Sequence, residues 1–235
     1  MCFPFFYFPA IITSVKKELH IYHGKEESKM KKTVICIGRE YGSGGREIGE
    51  RLAAALDIPC YDKLILKKTA EESHLSYSLL KDEDEKPVNH DRFLTGDVFV
   101  DSAGIQNAFY SESQITFDAE RRVIEELAAK GSCVIIGRCA SSLLRDSLGT
   151  DKVLSVFIYA DPEQKLSRIM DRNSLDRRDA EKRMKRIDRM RRQYFDFYSE
   201  TQWGKPESYD IMLSSSSYGI DGCVDLLVTS MKERV

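Results

Sequence analysis

The segment TVICIGREYGSGGREIG, residues 33–49, decides the fold of this 235-residue chain. It begins with a short β-branched and apolar run, 33–38, which is closed by a glycine and is typical of a buried strand. A glycine-rich turn follows at Gly42–Gly45, and the apolar residues after it, among them Ile48 and Leu52, recur at helical spacing. A buried strand, a glycine turn and an amphipathic helix in direct succession predict the first unit of an α/β domain.

Apolar strands alternate with helical segments along most of the remaining chain. Extended segments are predicted at 60–62, 132–137, 154–160 and 209–213, and helices at 46–56, 63–73, 117–130, 161–172, 177–199 and 219–232. Gly131 is predicted to cap the helix before it, and Asp161 followed by Pro162 is typical of a helix start. This alternation predicts a parallel sheet covered on both faces. Residues 74–115 show no clear periodicity, and the charge run at 81–86 is interpreted as a solvated loop.

Composition and charge narrow the class of protein. With 42% hydrophobic and 31% charged residues, the chain can form a substantial core, and disordered, collagen-like and coiled-coil classes are excluded as its main character. The net charge is −2, but residues 165–192 hold 12 basic residues against 5 acidic ones, a surplus of +7. One basic segment in an otherwise acidic chain indicates a local anionic ligand rather than nucleic acid or an anionic membrane.

The first 29 residues differ in character from the rest. Their opening run, MCFPFFYFPAII, is shorter than the ~20 residues that a membrane span needs and has no Lys or Arg before it, as a secretory signal would have. We interpret 1–29 as a non-native or disordered leader and Met30 as the natural start. A leader associated with a membrane is the alternative.

The cysteines predict a reducing compartment. Six are scattered along the chain without a CxxC pair or a histidine-rich spacing (Cys2, Cys36, Cys60, Cys133, Cys139 and Cys223). We expect reduced thiols, no zinc site and a cytoplasmic protein.

The glycine turn is the strongest candidate for a ligand site. Glycines before a helix leave its first N–H groups open, and together with the helix dipole these groups form a seat for phosphate. The usual pattern is GxxxxGK[ST], in which the lysine neutralises the outer phosphates and the hydroxyl holds Mg²⁺. The candidate phosphate-binding residues here are Gly42, Ser43, Gly44, Gly45, Arg46 and Glu47. A turn that needs glycine only for tight packing is the alternative.

Two alignments to that pattern are open, because the chain has no lysine at the expected place. If Gly44 is the last loop glycine, Gly45 stands at the lysine position. If Gly45 is the last, Arg46 and Glu47 replace the lysine and the serine or threonine. We favour the second alignment, since arginine can still pair with phosphate.

Arg138 is a second candidate, at the end of the strand predicted at 132–137. Ligands of open α/β sheets bind outside the carboxyl ends of the strands, so Arg138 is predicted to face the same crevice as the glycine turn. A surface ion pair is the alternative for this side chain.

The basic segment is the third candidate. Arg168 and Arg172 lie one helical turn apart, and Arg186, Arg189 and Arg192 continue at helical spacing with Asp188 among them. Arginines on a mobile lid could clamp a transferring phosphoryl group. A solvated charged face is the alternative.

From residue 33 onward the order of motifs resembles the cytidylate kinase-like family of P-loop proteins. The motifs are GREYGSGGREIG (38–49), IPCYDKLIL (58–66), VIIGRCA (134–140), FIYADPEQKLSRIMDR (157–172), KRIDRMRRQYF (185–195) and YDIMLSSSSYGID (209–221). The resemblance implies a nucleoside monophosphate kinase-like α/β fold for residues 30–235. Its parts are a five-stranded parallel sheet flanked by helices, an acceptor-binding region at roughly 60–115 and an arginine-rich helical lid at roughly 165–200.

The resemblance also implies roles for single residues. Gly137 and Arg138 match the GR of a DGRD-like motif whose arginine contacts the acceptor phosphate. Asp62 matches an aspartate that opens the acceptor region, and Asp188 with Arg189 matches a DR pair in the lid. The loop lysine, the Mg²⁺-holding hydroxyl and the aspartates of the strand motif are changed, with Cys139 at an acceptor-reading position.

The sequence therefore predicts an ATP- and Mg²⁺-dependent phosphotransferase that acts on a nucleoside monophosphate or a similar small phosphorylated acceptor. Arg46, Arg189 and Arg192 are its candidate catalytic residues, Asp62 and Arg138 bind the acceptor, and Glu47 or Asp62 helps to place Mg²⁺. A sensor that binds nucleotides or anions without turnover is the alternative. Contact with RNA through the basic helices is a third, weaker hypothesis.

Overall fold

The computed structural model describes residues 32–62 and 117–233. Its strands are β1 (Val34–Arg39), β2 (Cys60–Tyr61), β3 (Cys133–Ile136), β4 (Val153–Tyr159) and β5 (Ile211–Ser214). Its helices are α1 (Gly45–Ala55), α2 (117–130), α3 (Ala140–Leu148), α4 (Pro162–Asn173), α5 (Arg177–Tyr198) and α6 (Ser215–Glu233). The leader at 1–29, the helix predicted at 63–73 and the loop at 81–86 lie outside the described residues.

The five strands form one parallel sheet in the order β2-β3-β1-β4-β5. In the centre, Ile35 pairs with Val134 on one side and with Leu154 on the other. Residues buried on both faces of a parallel sheet form continuous apolar runs, and Val34–Ile37 is such a run. The predicted α/β class and the five-stranded parallel sheet are confirmed.

Alternate side chains of β1 enter two separate cores. Ile35 and Ile37 pack with α1 and α6, whose buried residues include Ile48 and Leu227. Val34 and Cys36 point to the opposite face, where α2, α3 and α5 cover the sheet. This period of two is what an extended chain dictates, and it produces the three-layer arrangement.

The predicted boundaries hold at most elements, with local corrections. Helix α2 ends at 130 as predicted, but Gly131 is not left-handed and so is not the expected cap. Asp161 precedes the first turn of α4, but its side chain forms no capping hydrogen bond. Helix α6 begins at Ser215, earlier than predicted, and its backbone is broken at Gly219, where φ is 68°.

Helices α4 and α5 lie against the body of the protein. A small apolar cluster joins them through Leu166, Ile169 and Ala180, and Tyr41 of the glycine turn packs against it. The far end of α5 buries Tyr194 and Phe195 in the main core. The structure thus confirms these two helices, and their movement as a lid stays a prediction. Within the described residues, no helix has the length and apolar character needed to cross a bilayer.

Candidate functional site

The sheet topology creates a crevice between the carboxyl ends of β1 and β3. The chain leaves β1 through α1 towards β2, on the far side of β3, whereas it leaves β3 through α3 towards β4, on the far side of β1. Adjacent strands whose connections diverge leave an opening at their carboxyl ends, where α/β proteins bind ligands. The glycine turn and Arg138 follow these two strands.

The glycine turn has the geometry of an anion seat. Gly42 and Gly44 are left-handed, with φ of 83° and 79°, and α1 begins at Gly45. Gly44 occupies the N-cap position, where no side chain caps the helix. The first N–H groups of a helix have no acceptor within it, so these groups can take up a phosphate.

The hydroxyl of Ser43 stabilises the turn from within. It donates to the carbonyl oxygen of Glu40 (2.8 Å), and Ser43 is fully buried. The carbonyl of Ser43 in turn accepts from Ser215 Oγ (2.6 Å). Ser43 Oγ also accepts from the N–H of Gly45 (3.4 Å), so the Ser43 side chain shapes the turn and meets the first N–H group of α1.

Arg168 lies against the same turn. Its Nη1 donates to the Gly42 carbonyl (3.3 Å) and to Ser215 Oγ (3.2 Å). The structure thus brings this basic residue of α4 to the predicted phosphate seat, although its contacts here are to neutral oxygens.

Tyr41 connects the turn to both basic helices. Its N–H donates to Asp188 Oδ1 (2.7 Å), and its hydroxyl accepts from Arg183 Nε (3.1 Å) and Asn173 Nδ2 (3.4 Å). The Arg191 guanidinium stands over its ring, 5.7 Å from the centroid. Burial raises the pKa of Asp188 to about 6, against the lowering effect of the Tyr41 N–H. Asp188 therefore binds the turn directly.

A buried ion pair lies beneath the turn. Lys165 Nζ is 2.9 Å from Glu40 Oε2, and the Lys165 side chain is only 9% exposed. The same carboxylate accepts from the N–H of Ala160, directly after β4. Paired in this way, Glu40 fixes the start of the turn against α4.

Arg46 points away from the turn, towards β2. Its guanidinium contacts Asp62 (2.7 Å) and Glu50 (2.9 Å), and 47% of its side chain is exposed. Glu47 is likewise paired, with Arg51 on the next turn of α1. The structure thus brings together Arg46 and Asp62, two predicted site residues, as partners of each other.

Arg138 lies in a buried ion pair. Gly137, Arg138 and Cys139 are all left-handed, with φ of 83°, 59° and 54°. This sharp turn directs the Arg138 guanidinium to Glu120 of α2 (2.8 Å), with the two side chains 11% and 9% exposed. Tyr194 donates its hydroxyl to the same carboxylate (2.8 Å). Arg138 therefore does form an ion pair, as in the alternative interpretation, but the pair is buried next to the crevice and does not lie on the surface.

Three predicted arginines remain on the surface. Arg172 and Arg189 are exposed, and Arg192 is exposed with its guanidinium 5.5 Å from the centroid of the Trp203 ring. No hydrogen bond or ion pair within the described residues links them to the glycine turn.

Sequence reasoning missed Arg39 and Arg191. Both line the crevice together with Arg138, and Arg191 Nη1 donates to the Arg39 carbonyl (3.1 Å). The sequence does contain a signal for Arg39, because the triplet Ile-Gly-Arg occurs at the end of β1 (37–39) and again from the last residue of β3 (136–138). Since Ile37 pairs with Ile136, the repeated triplets lie side by side.

The described residues hold no preformed metal site. They contain no group of three or more His, Cys, Asp or Glu side chains placed to hold an ion. The acidic side chains nearest the turn, Glu40 and Glu47, are paired with Lys165 and Arg51. Mg²⁺ often binds through phosphate oxygens, water and one or two carboxylates, so it fits this site together with a nucleotide.

The chain resembles solved structures of other proteins at low sequence identity. A solved structure of an uncharacterized protein from Eubacterium ventriosum is 28% identical, covers 85% of this chain and 98% of its own, and has a TM-score of 0.64. Shikimate kinase from Bacteroides thetaiotaomicron is 14% identical, with 86% and 99% covered and a TM-score of 0.48. The search of curated proteins gave no match. The sequence model of the cytidylate kinase-like family matches residues 34–217, and the chain therefore belongs to the cytidylate kinase-like family.

Proposed function

We propose that this protein is a phosphotransferase that moves the γ-phosphoryl group of ATP to a nucleoside monophosphate or a similar small phosphorylated acceptor. The observation that carries the proposal is the side-by-side placement of the open glycine turn and the Arg138 turn on neighbouring strands. One turn is suited to a donor phosphate and the other brings a fixed guanidinium to an acceptor phosphate. Family membership supports the same reaction class.

Each part of the site has a role in this proposal. The backbone N–H groups at the start of α1 hold the donor phosphates, with Arg46 as the cation favoured by sequence. Arg138, kept in place by Glu120, holds the acceptor. Arg189, Arg192 and Arg172 reach the phosphates only if α4 and α5 move, because all three are exposed. Bound Mg²⁺ would neutralise charge on the donor phosphates.

A nucleotide-binding sensor is the second candidate function. It is favoured by the pairing of Arg46 with Asp62 and Glu50, which leaves the loop without an open cation at the position expected to carry it. Phosphoryl transfer depends mainly on electrostatic stabilisation, so such a loop can bind without catalysing. In both functions we propose small nucleotides as ligands, in the cytoplasm, with no role for membranes or nucleic acids.

Calorimetric titration of the full chain, followed by a coupled ADP-release assay, separates the two functions. ATP–Mg²⁺ is titrated first, and then CMP and the other nucleoside monophosphates. Binding of ATP and of one monophosphate, with turnover of the pair, supports the phosphotransferase and names the acceptor. Binding of ATP without turnover of any acceptor supports the sensor. Binding of neither nucleotide class contradicts both functions.

A further inference from the structure

The positions of Arg39 and Gly45 around the glycine turn point to Arg39, rather than Arg46, as the cation of the phosphate loop. Gly44 is left-handed and precedes the helix, whereas Gly45 is already helical. With Gly44 as the second glycine of GxxxxGK[ST], the first glycine falls at position 39 and the lysine at position 45. The chain has Arg39 and Gly45 at these positions, so glycine and the basic residue have changed places.

The two exchanged positions touch in the structure. A Cβ atom added at Gly45 would lie 2.6 Å from Arg39 Cβ and 3.2 Å from Arg39 Cγ. Both distances are shorter than ordinary van der Waals contact between carbon atoms. The stem of Arg39 thus fills the space next to Cα of position 45, where a lysine side chain would begin.

The guanidinium of Arg39 reaches across the crevice to the Arg138 turn. Its Nη1 lies against Gly137, where a Cβ atom would meet it, so a larger residue at 137 would have to push the Arg39 guanidinium aside. Gly137 also has a φ of 83°, which glycine adopts without strain. Glycines at both 45 and 137 therefore form a cradle along the length of Arg39, from the donor turn to the acceptor turn.

Arg39 is better placed than Arg46 to meet a phosphoryl group between the two turns. Arg39 lines the crevice with Arg138 and Arg191. Arg46 lies outside that set and points towards β2, where its guanidinium contacts Asp62 and Glu50. A guanidinium presents two parallel N–H donors to phosphate oxygens, which suits it to the equatorial oxygens of a transferring group.

We infer that Arg39 replaces the loop lysine and contacts the transferring phosphoryl group, an inference that rests on the proposed function. In this step the bond between the γ-phosphorus and the bridging oxygen of ATP breaks, and a bond forms to an anionic phosphate oxygen of the acceptor. The products are ADP and a diphosphate. The bridging electron pair leaves with ADP, no proton has to move, and Arg39 stays charged throughout.

The test combines seven variants of the full chain: Arg39→Ala, Arg39→Lys, Arg39→Gly, Gly45→Lys, the double variant Arg39→Gly/Gly45→Lys, Arg46→Ala and the control Arg121→Ala. We expect Arg39→Ala to lower kcat by roughly 100- to 1,000-fold, the scale of a lost transition-state donor, while KM for ATP changes less. Arg39→Lys keeps the charge and is expected to retain more activity than Arg39→Ala. Arg46→Ala removes the cation favoured by sequence and is expected to lower kcat less than Arg39→Ala does. Arg121→Ala, the matched control, removes an exposed arginine of α2 that pairs with Glu125 and is expected to stay within about threefold of wild type.

The double variant tests the exchange itself. A Cβ atom at position 45 meets both Cβ and Cγ of Arg39, and alanine would keep that Cβ, so the exchange is tested in Arg39→Gly/Gly45→Lys. Gly45→Lys is expected to recover at least about tenfold of the kcat lost by Arg39→Gly. Thermal melting gives a readout independent of turnover. Gly45→Lys should lower Tm in the wild-type background and lower it less in the Arg39→Gly background.

The outcomes separate this inference from the proposed function. If wild type turns over and Arg39→Ala keeps its kcat while Arg46→Ala loses it, the inference is wrong and the proposed function stands. An inactive Arg39→Gly that Gly45→Lys does not rescue also overturns it. If wild type itself shows no turnover with any acceptor, the proposed function fails.

Discussion

Gly42 shows how one residue sets the shape of the phosphate seat. Its φ is 83°, and a Cβ atom there would lie 2.8 Å from the Lys165 carbonyl oxygen. We expect Gly42→Ala to lower the free energy of unfolding by about 1–3 kcal/mol, because both the backbone and the contact to α4 become strained.

Gly131→Ala is the matched control for that change. A Cβ atom at Gly131 meets nothing within 4 Å, and its φ is not positive. Its effect on the free energy of unfolding should stay within about 0.5 kcal/mol. Urea titration of both variants measures the difference, and equal losses for the two glycines would contradict the role assigned to Gly42.

The free energy of unfolding should depend on pH through the carboxyl group of Asp188. Burial raises its pKa from 3.8 to about 6, and Glu40 adds to the rise, while the Tyr41 N–H, Arg191 and Lys165 oppose it. Between these two values the folded protein binds more protons at this carboxyl than the unfolded chain does. The contribution of Asp188 to the free energy of unfolding therefore falls as pH rises from about 4 to 6.

Asp188→Asn removes this dependence. The unfolding free energy of wild type minus that of Asp188→Asn should fall, by at most about 3 kcal/mol, as pH rises through this window and level off above it. Urea titrations of both proteins across the window measure the difference. A flat difference would contradict the raised pKa by showing that the carboxyl of Asp188 titrates alike in the folded and unfolded states, and a difference that rises with pH would contradict it by showing a lowered pKa.

The residue scale is also where sequence reasoning was least complete. Charge alone favoured Arg46, because it follows the last glycine of the turn. Side-chain direction is set by helix geometry and by the carboxylates nearby, and Asp62 comes close only when β2 joins the sheet. The repeated Ile-Gly-Arg triplets could have indicated Arg39, but their alignment depends on the neighbouring positions of β1 and β3.

At the scale of elements, Glu120 joins three parts of the fold. It sits on α2, pairs with Arg138 after β3 and accepts from Tyr194 of α5. Glu120→Ala would leave the buried Arg138 charge without its carboxylate, at a cost of about 3–5 kcal/mol in the free energy of unfolding.

The same helix offers a matched control. Glu125 forms an exposed ion pair with Arg121 (3.0 Å) on α2, and surface pairs contribute little. Glu125→Ala should change the free energy of unfolding by no more than about 0.5 kcal/mol in the same urea titration. If Glu120→Ala lowered the free energy of unfolding as little as Glu125→Ala does, water or another group would have to replace Glu120 as the partner of Arg138.

The elements themselves were largely predictable, for a physical reason. Continuous apolar runs gave β3 and β4, and amphipathic spacing gave α1, α4 and α5 to within one or two residues. The start of α6 was missed because its first turn, from Ser215, is polar and comes before the Gly219 break. Periodicity reports which face of an element is buried, and it carries no information on how a polar turn is bonded.

At the scale of the whole molecule, the reactivity of the buried cysteines can show whether the protein unfolds in one cooperative step. The five described cysteines are free thiols, and four of them are buried. Burial raises the pKa of Cys133 to about 12 and that of Cys60 to about 11. Since the thiolate is the reactive form, alkylation of Cys36, Cys133 and Cys223 should be negligible at neutral pH until the sheet unfolds.

Alkylation in rising urea, read by peptide mass mapping, checks this. Cys36, Cys133 and Cys223 should become labelled together, at the midpoint of the transition seen by circular dichroism. Labelling of Cys133 well before Cys36 would mean that β3 separates from β1 in a partial unfolding step, contrary to a single cooperative sheet.

The global arrangement was predictable in part. Alternation of strands and helices predicts a parallel sheet with two covered faces, but the order of the strands follows from long-range pairing that no local pattern encodes. The family resemblance implied five parallel strands and not their order. The order in the structure brings residues of two distant motifs, at 38–49 and 134–140, into the lining of one crevice.

The contacts of Tyr41 have a consequence for kinetics. Side chains from α4 and α5 hold this residue directly before the first glycine of the turn. A nucleotide bound in the turn would therefore leave only after α4 and α5 separate from the turn. Its residence time would depend more on the activation enthalpy of that separation than on the contacts between the nucleotide and the protein. The dissociation rate of the nucleotide would rise strongly with temperature and fall in viscous cosolvents. Product release, rather than bond cleavage, would then be the rate-limiting step of each catalytic cycle.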